Sequence, residues 1–354
     1  MKILFLAPYP PGQAPSQRFR FEQYFLLLKK HTIEYSFQSF LDEKTWQILY
    51  LNGNTLKKVL GIAKGFMRRT ILLFSLSKYD EVFIHREVTP IGPPIFEWII
   101  AKLFKKEIIF DFDDAIWLPN TSKENVIVSV LKWHSKTESI CKWSKTISVG
   151  NPYLAQYAGQ FSSNVVVNPT TIDTEHLHVP VGINNKIPVI GWTGTHSTGK
   201  YLASIISALN EVSKTQSFKF LYVSNKTPDF EIPNLEFVKW MKESEIDQLN
   251  HIDIGIMPLE DDQWSEGKCG FKALQYMALE IPALVSPVGV NSTIVDDGVN
   301  GYHCKSEADW VVRLTELIEN PEWRRKMGAE GRKKVIAQYS VKSNSENFLK
   351  IVKG

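Results

Sequence analysis

The sequence predicts an α/β fold built from two doubly wound, Rossmann-like domains, and three observations carry that prediction. Short runs dense in apolar residues alternate with helical patterns along the first half of the chain. The same alternation begins again near Pro188. The length of 354 residues is about twice the commonest domain size, and with 44% hydrophobic residues there is material for two cores. Strands covered by helices on both faces read as unbroken apolar runs, and the runs here have that character.

Taken in order, Lys2 to Ala7 reads as a buried strand that ends in the turn-rich loop Pro8 to Pro15. Ser16 can cap the helix that follows, in which Phe19, Tyr24, Phe25, Leu27 and Leu28 recur at roughly helical spacing. Further strands are expected at Glu81 to His85, Glu107 to Phe112, Thr146 to Val149 and Val165 to Val167. The polar stretch Asp173 to Lys186, with its Pro and Gly, is the expected linker. Beyond it, Pro188 to Thr193, Phe218 to Val223, Leu235 to Val238, Ile252 to Met257 and Ala283 to Ser286 read as strands. Glu307 to Ile318, Pro321 to Gln338 and about Val341 to Val352 read as helices, Pro321 being acceptable in a first turn. These readings divide the chain into domains at 1–180 and 187–338, with 339–354 a C-terminal helix that packs back on the first domain.

A net charge of +3 argues against nucleic acid as the main partner. Cys141, Cys269 and Cys304 form neither a disulfide framework nor a zinc pattern, which suits a reducing compartment. The apolar start breaks at Pro8, too early for a signal segment, and no stretch is long enough to span a bilayer, so a cytoplasmic protein is expected. The segment Leu56 to Leu76 mixes Lys57, Lys58, Lys64, Arg68 and Arg69 with large apolar residues. Such a helix either packs the first domain with its lysines in water or lies on the inner face of an anionic membrane.

The most informative segment runs from Glu266 to Ala278, between the apolar runs at 252–257 and 283–286. It reads as a loop opening into a helix at the carboxyl end of a strand. Gly267, Lys268 and Gly270 there make a seat for phosphate, because a helix start presents backbone N–H groups and the positive end of its dipole. An ordinary strand-to-helix connection with one solvated lysine is the plain alternative. In the first half, Asp111, Asp113 and Asp114 stand together at the end of a strand.

With both halves in view, the chain resembles the retaining, nucleotide-sugar-dependent glycosyltransferases of the GT-B fold, most closely family 4 (group 1). The ordered series Gly255 to Leu259, Gly267 to Lys272, Gln275 to Ala278, Ser286 to Asn291 and Asp297 to Tyr302 carries the resemblance. It implies two Rossmann-like domains facing a central cleft, the second binding a nucleotide sugar and the first a sugar or lipid-linked acceptor. It also implies a role in bacterial cell-surface polysaccharide or glycolipid assembly, with no cofactor and no metal.

Carried over residue by residue, the resemblance assigns Gly267 and Gln275 to the positions where typical members have two glutamates, one on the sugar and one on the ribose. Gln275 keeps hydrogen-bonding capacity without charge, and Glu266 stands beside Gly267 as a substitute. Phe271 and Lys272 complete that donor element. Gly194, Thr195, His196 and Ser197 are the second phosphate contact, with Lys200 and Lys268 gripping the diphosphate as it leaves. Thr195 takes the place of the usual arginine. Val238 and Trp240 fall where relatives recognise the base, although Trp240 serves equally to cover a core.

In the acceptor half, Asp113 aligns with the histidine near the reacting carbon, and is expected to take the acceptor proton or steady the cationic centre. Asp114 lies beside it. A divalent metal on Asp-x-Asp and a helix-capping role are the alternatives. Gly12, Arg18 and Arg20 match the first loop of the acceptor domain, and guanidinium groups suit an anionic acceptor. His85 and Arg86 end another strand on the same rim, His85 as acceptor contact, auxiliary base or structural histidine. Two further readings are a catalytically weak nucleotide-sugar-binding subunit and a nucleotide-sugar epimerase. A dehydrogenase is not expected, since no Gly-x-Gly-x-x-Gly follows the first strand.

Overall fold

The structure is a computed structural model that describes residues 1–49, 51, 53–119 and 132–353, with 196 and 197 described by their backbone alone. It divides into two compact units, residues 1–169 with 345–354, and residues 170–344.

In the first unit the described strands are β1 (Lys2–Ala7), β2 (Glu34–Ser39), β3 (Glu81–His85), β4 (Glu107–Phe112), β5 (Thr146–Val149) and β6 (Val165–Val167). They form one parallel sheet in the order β2-β1-β3-β4-β5-β6. The central runs β1, β3, β4 and β5 are buried almost throughout, as their apolar content requires. Phe5 of β1 stacks with Phe21 and packs at a tilt against Phe83 of β3, and Phe25 stacks with Tyr35 of β2. The order reverses between β1 and β3, so the loops after these two strands flank the unit's switch point, where open α/β sheets bind ligands.

In the second unit β7 (Val189–Gly194), β8 (Lys219–Ser224), β9 (Leu235–Lys239), β10 (Ile254–Met257), β11 (Ala283–Val285) and β12 (Gly301–His303) form a second parallel sheet in the order β12-β11-β10-β7-β8-β9. Here the switch point lies between β7 and β10. One face packs on Trp192, Leu209, Phe220, Tyr222, Trp310 and Leu314.

The stretch 173–186, read as the linker, lies inside the second unit. The Arg332 guanidinium donates to the carbonyls of Thr174 and His178, at 3.0 and 2.9 Å, and so ties it down. The units part instead after Pro169 and after Asn344. Edge strands β2 and β12 were not expected from the sequence.

The helix Ser345–Lys353 belongs to the first unit. Its Phe348 is fully buried and stacks on Tyr24 with ring centres 4.2 Å apart. Phe348→Ala should therefore lower the stability of the first unit by about 3–5 kcal/mol, measured by urea unfolding. An unchanged midpoint would show that this helix does not hold the unit.

Candidate active site

In the second unit the loops at the switch point are those after β7 and β10. Strand β7 ends at Gly194, and Thr195 begins the one-turn helix His196–Gly199, its carbonyl accepting from Thr198 N at 2.9 Å and Gly199 N at 3.2 Å. The side chains of His196 and Ser197, expected to contact donor, lie outside the described residues. Lys200 is exposed, with its ammonium 5.0 Å from the centre of the Tyr201 ring.

After β10 comes a short helix, Gln263–Glu266, capped by the Asp262 carboxylate, which accepts from Ser265 N at 2.7 Å. The turn that closes this helix uses two of the amides expected to seat phosphate. Gly267 N donates to Trp264 O at 3.1 Å and Lys268 N to Ser265 O at 2.9 Å. Beyond that turn begins the helix Phe271–Ala278, and a helix start is where backbone amides and the dipole suit an anion. Gly270 precedes it in the left-handed region, φ 65°, and a Cβ there would collide with Ile294. Lys272 carries its ammonium 5.5 Å from the ring of Trp192 on β7, so the helix that follows β10 contacts the neighbouring strand at the switch point. Lys268 lies over Trp264 at 4.9 Å. Positive charge thus borders the helix start through Lys268 and Lys272.

Tyr276, given no role from the sequence, sets the spacing of these parts. Its hydroxyl accepts from Thr193 N at 3.2 Å and donates to Ile256 O at 3.4 Å, bridging β7 and β10 beneath the loops. Burial pushes its phenol well above the usual range, so it acts as a neutral bridge.

Gln275, expected on a ribose, is corrected. It is buried, its amide donating to Glu245 at 3.3 Å and lying 3.3 Å from His178 Nε2. Glu245 and His178 are far from it in sequence, and no local signal could have paired them. Glu266 is partly exposed at the end of its short helix. Val238 pairs with Val223 on edge strand β9, and the half-buried Trp240 donates its amide to Ser224 O at 2.8 Å.

In the first unit a buried charge network occupies the strand ends. Arg20 pairs with Asp111, donates to the Asn168 carbonyl, and lies 3.3 Å from Ser148 Oγ. Ser148 donates to Asp111 at 2.6 Å, and His85 Nδ1 is 2.8 Å from the same carboxylate. Burial alone would raise the Asp111 pKa, but the Arg20 charge and the His85 bond outweigh it and hold the carboxyl well below the usual range. Arg20 and His85, expected to face an acceptor, are both fully buried, so neither is an acceptor contact in this structure. Arg18, on the helix Pro15–Arg18, keeps a surface position.

Above this network stands a second cluster. Arg86 has a left-handed backbone, φ 62°, held by its amide donating to Asp111 O at 2.7 Å. Its side chain donates to Asp113 at 2.8 Å and Asp114 at 2.6 Å, which brings together three residues expected at the site. Burial works against the guanidinium, and the two carboxylates outweigh it and raise its pKa. A non-glycine residue in this conformation costs free energy and persists only where its surroundings fix it. Gly12, also expected here, donates its amide to Glu22 at 2.7 Å. Gln17 completes the brace by bonding Tyr9 N, Tyr9 O and Glu22. Burial raises the Glu22 pKa.

Residues 223–334, all within the second unit, match the family described as glycosyl transferases group 1. Solved structures cover the whole chain, and the fold they share with it is GT-B: the protein is an α/β chain of GT-B architecture, part of whose second unit matches the group 1 family model. A glycosyltransferase from Rickettsia africae is similar at TM-score 0.69 and 12% identity, covering 99% of this chain and 97% of that one. Sucrose-phosphate synthase from Thermosynechococcus elongatus is similar at TM-score 0.68 and 11% identity, over 99% and 98%. HepE of Anabaena, solved with UDP-glucose, is similar at 0.65 and 13%, over 100% and 99%. No curated protein matches the chain.

Asp111→Asn leaves the Arg20 charge buried without its counter-ion and should cost about 3–5 kcal/mol at neutral pH. The folded Asp111 pKa is depressed, so its stabilisation is complete above the unfolded value of about 3.9 and fades as pH falls through the range below it. Unfolding followed from about pH 6 to pH 2 should show a flatter acid limb in the variant than in the parent. Parallel limbs would remove Asp111 from the acid response.

Proposed function

We propose that this protein is a retaining glycosyltransferase of the family 4 type, moving a hexose from a nucleoside diphosphate donor to an acceptor hydroxyl in cell-surface polysaccharide or glycolipid assembly. The observation that carries the reading is the start of the helix Phe271–Ala278 at the β7/β10 switch point, bordered by Lys268 and Lys272, inside the segment that matches group 1 glycosyltransferases. Amides and ammonium groups at that point favour a diphosphate, and favour it most when it gains charge on leaving. HepE, solved with UDP-glucose, supports a nucleotide sugar as donor. TarM, another similar structure, was solved with UDP and α-GlcNAc-glycerol.

In this reading Lys268, Lys272 and Lys200 neutralise the leaving diphosphate, and Gly194 to Ser197 supply further amides. Asp113 is the group that takes the acceptor proton or steadies the cationic centre. Arg86 positions it, since a guanidinium on two neighbouring carboxylates fixes both side chains. No metal enters the scheme.

One observation favours a second reading, a weakly catalytic nucleotide-sugar-binding subunit. Gly267 and Gln275 replace the paired glutamates of typical members, and Gln275 is turned into the protein by Glu245. Transfer of labelled sugar by the purified protein separates the two, because the subunit would bind donor without turnover.

A thermal-shift series with nucleoside diphosphates should raise the melting temperature of the parent, since a ligand bound to the native state stabilises by mass action. Lys268→Ala and Lys272→Ala should each weaken that binding about tenfold, on the order of 1.4 kcal/mol. Undiminished shifts in both variants would refute the lysine-bordered seat.

Asp113→Asn should slow transfer by about 10²–10⁴-fold, the usual worth of a positioned acid or base, while leaving diphosphate-induced stabilisation intact. A fully active variant would remove Asp113 from the chemistry.

A further inference from the structure

The helix Thr55–Leu73 is built inside out. Toward the protein it presents Gly61, Gly65, Arg69 and Leu72, all buried. A Cβ on Gly61 would collide with Thr45 and one on Gly65 with the Phe40 ring, so the glycines are what lets the helix approach so closely. Arg69 points inward and donates to the carbonyls of Val88, Gln38 and Ala7, each at 3.0 Å, while Arg68 caps the carbonyls of Ser39 and Phe40.

The large apolar residues are on the other side. Leu56, Leu60, Met67, Ile71 and Phe74 recur at steps of three, four and seven, which places them on one face, and all are exposed, Leu56 to 72% and Phe74 to 87%. The stripe is roughly 28 Å long at about 1.5 Å per residue. Exposed lysines, Lys57 and Lys64, border it along one edge. No Asp or Glu occurs anywhere from Thr55 to Tyr79. On the adjoining helix Ile95–Trp98, whose Phe96 ring lies 6.2 Å from that of Phe66, Ile95 and Trp98 are exposed as well.

We propose that this face lies on an anionic lipid bilayer, with the Leu56–Phe74 stripe in the headgroup boundary and Lys57 and Lys64 on acidic headgroups. An apolar stripe beside lysines and free of acidic residues is complementary to such a surface in both polarity and charge. No helix among the described residues is long and apolar enough to cross a membrane, so the contact is peripheral. It stands independently of the transfer reaction, although it brings the first unit to where a lipid-linked acceptor would be.

The full-length protein is sedimented with vesicles of phosphatidylcholine alone and with about one third phosphatidylglycerol, at low and high salt. Binding to the anionic vesicles that weakens at least tenfold at high salt is expected. Leu60→Glu with Met67→Glu should abolish it, and Lys57→Glu with Lys64→Glu should remove its salt-dependent part. These side chains face solvent, so the variants should keep the parent circular dichroism. Absence of vesicle binding by the parent, or equal binding by the folded Leu60→Glu, Met67→Glu variant, overturns the proposal. So does a concentration-dependent dimer that the same variant dissolves, which would make the stripe a self-association surface.

Discussion

In a sheet whose strands all run the same way, every strand delivers its carboxyl end to one rim, and the polar groups that end the strands must be reconciled there. The first unit solves this with charge. Arg20, fully buried, is held by Asp111 on β4, Ser148 on β5 and the Asn168 carbonyl beyond β6, while His85 on β3 bonds the same carboxylate. A charge taken out of water is tolerable only when paired and fully hydrogen-bonded, so the segment after β1 is fixed against the ends of three neighbouring strands. Arg86 leaves β3 directly above that network, its backbone tied to Asp111, and this decides where Asp113 and Asp114 stand. The second unit reaches the same end without charge. The Tyr276 hydroxyl spans β7 and β10, and close packing at Gly270 sets the start of the helix above them.

The central strands were legible in the sequence because burial on both faces demands unbroken apolar runs. The edges were not. β2 reads Glu34-Tyr35-Ser36-Phe37-Gln38-Ser39 and is only partly buried, so four of its six positions are polar and it lacks an apolar run. β12 is three residues long and opens on a glycine. The supposed linker 173–186 failed for a different reason. Composition reports that a stretch is polar, but not that an arginine from a distant helix, Arg332, will satisfy its carbonyls.

For the candidate site, the sequence located residue types and strand ends, yet pairing decided their roles. Arg18 and Arg20 are two positions apart and were read alike; one stays at the surface and the other is sealed in the unit. Asp111 and Asp113 are also two apart. The first lies within β4 and is consumed by the buried network, whereas the second lies beyond the strand and is partly exposed beside Arg86. Gln275 carries the same lesson in the second unit, since Glu245 and His178, which turn it inward, come from remote segments. Periodicity assigns a side chain to a face, but only the tertiary partner says whether that face still meets a ligand.

The helix Thr55–Leu73 extends this reasoning to a surface. Its inward residues are constrained by packing, because nothing larger than glycine fits against Thr45 and Phe40, and Arg69 is required by three carbonyls at strand and loop ends. Its outward residues are under no such constraint. An exposed Leu, Met or Phe gains nothing from folding, whereas a polar residue at the same place would keep the helix equally well formed and more soluble. Folding energetics alone would have put the apolar stripe inside and the lysines all around the outside. The observed arrangement leaves the apolar stripe outside with lysines at its border, and that pairing of polarity and charge is what the proposed anionic membrane surface would match.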